Sequence, residues 1–324
     1  MNQAEPVKGF PVVFSTGDPH GIGPEVILKA LPRFLTSQTI HPIVFGDAKY
    51  LKKLRRDLGL SQDLDQVEVI TAAHYDYPPA WGTVEVKAGH FALQCLRCAV
   101  EYCRDNSLPL LVTGPINKKA THLAGSAHPG QTETVASFFP GSKPVMTFFS
   151  DRLRVLLLTV HIPLREVPSA LHSDDLVRKT EVFIEALRSI GIPHPRLALC
   201  GLNPHASEEG LFGEEEQTIL KPAVHILNQT HGSETVTGPF PADTIFRRAL
   251  ANDFDGVIAL YHDQGLIPLK LVAFDSAVNV TLGLPLLRTS PDHGTAFEIA
   301  GLGVADARSM DAAIEWGIRL AQPL

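Results

Sequence analysis

The chain is a succession of short apolar runs, each closed abruptly by Gly, Pro, Asp or His: PVVFSTGDP, HPIVFGD, LPLLVTGP, VLLLTVHIP, LALCGLNPH and GVIALYHDQG. Runs of β-branched and aliphatic residues without polar alternation predict strands buried on both faces. Between them the apolar positions change to a helical period. Over 174–190, Leu176, Val177, Phe183, Ile184, Leu187 and Ile190 fall near a 3.6-residue spacing, and Gly191 supplies the stop just beyond. Strand alternating with helix predicts α/β layers on a largely parallel sheet, where ligands gather outside the carboxyl ends of the strands. The residues that end the strands are therefore the candidates for chemistry.

Length and composition narrow the class. At about 150 residues per domain, 324 residues suggest two domains or one large α/β domain. A chain that is 44% hydrophobic and 19% charged is neither disordered nor collagen-like. The net charge of −7 offers no basic field for nucleic acid or anionic lipid, so neither is an expected partner. The longest apolar run, over 155–160, falls far short of the roughly 20 residues that cross a bilayer. The N-terminal stretch lacks the long apolar core of a secretory signal, which points to a cytoplasmic protein. Cys95, Cys98 and Cys103 crowd together and Cys200 stands alone, which is no disulfide framework. The C-x-x-C pair belongs to a stripe with Phe91 and Tyr102 that predicts a packed helix face. Neither a linker nor a repeat marks a boundary, and the loop-like stretch over 75–82, with Pro78 and Pro79, is short.

Four clusters carry candidate chemistry, each with a plain structural alternative. STGDPHGIGPEVILKAL runs from a strand end into a helix with Pro24 at its first turn, and Gly21 and Gly23 open a tight turn. It reads either as a turn or as an anion-binding loop; Val26 occupies the third glycine of the dinucleotide fingerprint, and no Walker A spacing occurs. His161, His205 and His262 each follow a predicted strand, and carboxyl ends of neighbouring strands could converge on one metal with an open fourth position. The alternative is three polar residues that merely end strands, and His20, His128 and His293 also sit in turns. Glu214, Glu215 and Glu216 precede a helix, where carboxylates complement its N-terminus, and no chemistry is assigned to them. In VNVTLGLPLLRTSPDHGTAFEIAG a strand signal passes through Arg288 and a Ser-Pro-Asp-His-Gly-Thr loop into a helical AFEIAG. This reads as a phosphate cradle helped by Lys270 and Arg288, or as a capped turn.

Taken together, GDPHGIGPE, TGPINKKA with PGQTE, LTVHIPL, LNPHASEEGLFGEEE, GPFPADTIF, YHDQGLIPLK and RTSPDHGTAFEIAG resemble the 4-hydroxythreonine-4-phosphate dehydrogenase family of pyridoxal phosphate biosynthesis. The motifs run in family order over nearly the whole chain. The resemblance implies an isocitrate/isopropylmalate dehydrogenase-like α/β fold, with two α/β/α subdomains around a central cleft: about 1–125 plus 275–324, and about 126–274. It implies a homodimer with its active site at the subunit interface, and an NAD or NADP site that does not use the Rossmann fingerprint. His161, His205 and His262 match the family's ligands for a divalent metal (Zn, Mg or Co), drawn from both subunits. Gln131, Thr132, Lys270, Asn279 and Arg288 match substrate-binding positions, with Lys270 also counted among the catalytic residues. Asp292, His293, Gly294 and Thr295 match the cofactor-binding loop.

The implied reaction is metal-assisted oxidation of 4-(phosphooxy)-L-threonine to 2-amino-3-oxo-4-(phosphooxy)butanoate, which decarboxylates to 3-amino-2-oxopropyl phosphate. Asp243 and Asp263 are candidates for orienting the amine or a ligand imidazole. Many members read Gly-His-Thr-Glu where this chain has Gly130, Gln131, Thr132 and Glu133. Glutamine keeps hydrogen bonding but cannot exchange a proton, so an acid/base role at that position is not expected. The rival within the family is a dehydrogenase of 4-phospho-erythronate or 4-phospho-threonate. The rival from another class is a three-His metal hydrolase.

Overall fold

The computed structural model describes residues 9–60 and 67–322. Among them are eleven strands: β1 (Phe10–Ser15), β2 (Ile40–Gly46), β3 (Glu68–Thr71), β4 (Leu110–Thr113), β5 (Val145–Phe149), β6 (Arg154–Leu157), β7 (Leu197–Cys200), β8 (Val236–Phe240), β9 (Gly256–Ala259), β10 (Val278–Leu282) and β11 (Leu287–Pro291). The chain divides into two compact units, the first running to Pro144 and resuming over Leu284–Ala321, the second spanning Val145–Gly283. Both are α/β, the class expected from the strand–helix alternation. No described helix is long and apolar enough to cross a membrane.

In the first unit the strand order is β3-β2-β1-β4-β11, parallel throughout. Val12, Val13, Phe14, Leu110, Leu111 and Val112 are fully buried, as strands covered on both faces require. The Val86–Asp105 helix buries Phe91, Cys95, Ala99 and Cys103, whereas Cys98 and Tyr102 are only half-buried. The cysteines are core residues as the stripe suggests, on a face rotated toward Cys103. Burial pushes the Cys95 and Cys103 thiols up to about 12, so they are poor nucleophiles.

The Arg308–Ala321 helix packs on β11 and β4 and contains a destabilising acid. Asp311 Oδ1 is buried without a hydrogen-bond partner, and Arg33 reaches Oδ2 only at 3.7 Å. Burial raises its pKa to about 6; Arg33 opposes the rise, and Glu315 and Asp306 add to it. A carboxyl whose folded pKa lies above its unfolded value supports the fold below about pH 4 and loses that support as pH climbs through about 6, by roughly 2 kcal/mol. Asp311→Asn is accordingly expected to raise the unfolding temperature by a few degrees at pH 8 and by much less at pH 4. Equal shifts at the two pH values in thermal melts would contradict this account.

In the second unit the order is β10-β5-β6-β9-β7-β8. β5 runs antiparallel to both neighbours, and the remaining pairs are parallel. The Ser173–Ser189 helix buries Leu176, Phe183, Ile184 and Leu187 and stops before Gly191, which takes φ +90. The parallel trio β6, β9 and β7 aligns three carboxyl ends side by side.

Candidate functional site

In the first unit the strand order reverses between β1 and β4, the place where open α/β sheets bind ligands. The two loops leaving these strands lie against each other: the Asp18 N–H donates to Pro115 O and the Gly114 N–H to Ser15 O. A Cβ on Gly114 would stand 2.5 Å from the Thr16 carbonyl oxygen, so only glycine permits the approach. A Cβ on Gly21 would stand 2.8 Å from the Thr295 side chain, while the Ile22 N–H donates to Thr295 O. Gly21 thus seats Thr295 on the β1 loop, and the Ile22 donor is spent on Thr295 instead of an anion. His20 is a satisfied core histidine, with Nε2 2.6 Å from the Tyr75 hydroxyl and Nδ1 3.0 Å from Thr83.

The helix expected over AFEIAG is absent, and residues 297–303 form turns. Ala296 takes φ +43, which interrupts a right-handed helix at its start, and Gly301, at φ +78, packs under the Trp81 ring. No helix N-terminus therefore backs Asp292, His293, Gly294 and Thr295. Thr295 is buried and Asp292 half-buried, and His293 Nε2 is buried without a partner.

Arg288 on β11 is 4% exposed. Its Nε and Nη2 donate to Thr113 Oγ1 at 3.0 and 2.8 Å, Nη1 to Thr132 Oγ1 at 3.3 Å, and Nη2 to Gln131 Oε1 at 3.4 Å. Burial lowers the guanidinium pKa to about 10, against the pull of Glu133. Gln131 Nε2 donates to Gly114 O, so its amide bridges the β4 loop to the arginine. Gln131, Thr132 and Arg288, all singled out in the sequence, meet in one place. Thr113 joins them unforeseen; its signal was its place as the last residue of an apolar run before glycine.

In the second unit, His161, His262 and His205 follow the carboxyl ends of the adjacent strands β6, β9 and β7. The His161 and His262 ring centroids lie 5.8 Å apart, and His262 Nδ1 is 2.6 Å from Asp263 Oδ1. Among the described residues no three His, Cys, Asp or Glu groups are placed to hold a metal. His205 begins a run of five residues, through Glu209, with φ from 45 to 70. Such left-handed backbone costs about 1–2 kcal/mol per non-glycine residue and persists only where its surroundings enforce it. Lys270 is half-buried in the last turn of the His262–Ala273 helix. Asn279 on β10 has a buried Oδ1 without a partner, and Asp243 is exposed at the start of the Ala242–Leu250 helix.

Glu216 corrects the sequence reading of the acidic run. It is 0% exposed and opens a π-helical turn, Glu216–Leu220, ahead of the Lys221–His231 helix, with its carboxylate turned to the His205 loop.

Residues 38–317 match the family described as pyridoxal phosphate biosynthetic protein PdxA. A 4-hydroxythreonine-4-phosphate dehydrogenase of Desulfosudis oleivorans is 40% identical, over 93% of this chain and 93% of that one. A D-threonate 4-phosphate dehydrogenase of Cupriavidus necator is 39% identical, over 96% of this chain and 98% of its own. The crystal structure of a 4-hydroxythreonine-4-phosphate dehydrogenase from Klebsiella pneumoniae superposes with a TM-score of 0.83 at 36% identity, covering 98% of this chain and 100% of that one. With matches of this length and identity, the chain belongs to the family of the pyridoxal phosphate biosynthetic protein PdxA.

Proposed function

We propose that the protein uses NAD or NADP to oxidise 4-(phosphooxy)-L-threonine to 2-amino-3-oxo-4-(phosphooxy)butanoate, which decarboxylates to 3-amino-2-oxopropyl phosphate. The relatives supply the reaction class, and Arg288 carries the substrate class. A buried guanidinium held by two threonine hydroxyls and an amide is a pre-oriented cation, suited to grip a phosphate or carboxylate in bidentate fashion. Thr132 and Gln131 share that socket. The family pattern assigns Lys270 as a second cation for the substrate, and the unpaired Asn279 Oδ1 is assigned as an acceptor for its amine or hydroxyl. The cofactor is assigned to Asp292, His293, Gly294 and Thr295, the last of which Gly21 allows to sit on the β1 loop.

The histidines fit a divalent metal in donor type: the His161 and His262 rings are neighbours, and Asp263 on Nδ1 leaves His262 Nε2 to face a ligand. Zn, Mg or Co held there with His205 would supply Lewis acidity, easing loss of the alcohol proton and polarising the ketone. The stripe formed by Ile267, Leu271 and Phe274, 61%, 80% and 73% exposed, runs along the helix that carries His262 and Lys270 onto its C-cap. A second copy is the partner proposed for this face, giving a homodimer whose site draws residues from both subunits. The buried free thiols of Cys95, Cys103 and Cys200 suit the cytoplasm.

The second reading, oxidation of D-threonate 4-phosphate, rests on the Cupriavidus relative. That substrate carries a hydroxyl where the other has an amine, and the same arginine socket serves both. The test is the appearance of reduced nicotinamide when metal-replete protein meets each substrate with NAD or NADP. No reduced cofactor with either substrate would sink the proposal, and phosphate release without cofactor would favour a hydrolase.

A further inference from the structure

We infer that Glu216 is a positioning residue, whose carboxylate clamps the left-handed turn that carries His205. The inference rests on the reading of His205 as a metal ligand. Glu216 Oε1 accepts the N–H groups of Leu202 and Asn203, both at 2.8 Å, and Oε2 accepts Asn203 Nδ2 at 2.9 Å. These bonds fix the two residues just before Pro204 and His205. Three neutral donors are a sparse return for burying a carboxylate completely, and such groups persist where geometry matters more than stability. The turn itself is closely packed. A Cβ on Gly201 would stand 2.9 Å from Ala206 Cα and 3.3 Å from Glu216 Oε1, and the Gly210 N–H donates to the fully buried Ser207 Oγ at 3.0 Å. The π-helical turn that begins at Glu216 is a form that recurs at functional sites.

Glutamine at this position tests the clamp with little change of volume. Its oxygen can take both backbone donors, but its NH2 then faces the Asn203 NH2, donor against donor. The full-length protein as Glu216→Gln, His205→Ala and wild type is titrated with Co(II) alone, with its visible absorption as readout. Amide hydrogen exchange over 201–213 and thermal melts are measured in parallel. Glu216→Gln is expected to melt within a few degrees of wild type, to exchange faster over 201–213, to bind Co(II) about 10–100-fold more weakly and to alter its absorption bands. Wild-type exchange and wild-type Co(II) affinity in Glu216→Gln would overturn the clamp, even with His205→Ala defective. Wild-type Co(II) binding in His205→Ala would instead remove the ligand reading and the role of Glu216 in metal placement with it, while the exchange data separately decide whether Glu216 holds the turn.

Discussion

Arg288→Met is expected to lower kcat/KM by about 10²–10³-fold while leaving the unfolding temperature unchanged or higher. The two effects have one origin. Removing one member of a buried, hydrogen-bonded charge pair costs about 2–5 kcal/mol of binding, because the substrate anion is left desolvated without its partner. In the ligand-free fold the same guanidinium is a burden: burial brings its pKa down to about 10, so the charged form is disfavoured relative to the unfolded chain by roughly 3 kcal/mol at neutral pH. Methionine fills similar volume without that penalty. Arg288→Lys should recover little, since an ammonium cannot reproduce the fork that meets Thr113, Thr132 and Gln131 together. Gln131→His should cost less than about tenfold, because a neutral imidazole also offers one donor for Gly114 O and one acceptor for Arg288. Steady-state kinetics and melts on the same preparations decide the matter. A variant that loses stability and activity in proportion would make Arg288 part of the framework.

The second large effect is expected at His262. On the proposed metal site, His262→Ala removes a ligand imidazole and should weaken Co(II) or Zn(II) binding by more than about 100-fold and reduce turnover with it. Asp263→Asn, which disturbs only the group on Nδ1, should fall in the 10–100-fold range typical of outer partners. The graded series is the diagnostic, read by equilibrium metal binding on the purified variants. Equal metal content in wild type and His262→Ala would remove this residue from the ligand set.

Much of this arrangement was legible in the chain itself, for a physical reason. A strand covered on both faces must be apolar throughout, so β1, β4, β6, β7 and β9 announce themselves as runs, and the first polar residues after them fall at the carboxyl ends. That logic reached His161, His205, His262 and the β1 glycines. It failed where local pattern and tertiary context diverge. β8 contains Gly238 and Pro239 and gives no apolar run, and β3 is four residues, all partly or fully exposed. AFEIAG has helical composition, yet Ala296 is left-handed and Gly301 is held under Trp81, so no helix starts there. Glu216 is masked by its position, since acidic residues before a helix are ordinarily solvated. Its signal lay in the periodicity: Glu216, Leu220, Ala223 and Leu227 form one buried stripe, with the carboxylate standing where an apolar residue belongs.

Gln264, two residues beyond His262, has a consequence for how such a site can change. Its Oε1 accepts the Leu260 N–H at 2.7 Å at the end of β9, and its Nε2 donates to Gly201 O at 2.8 Å at the end of β7. One buried amide thus belongs at once to the loop that presents His205 and to the segment that presents His262. Substitutions at the two strand ends then act on a shared element, and their energies do not simply add. A lineage acquiring a new substrate is expected to alter both loops together.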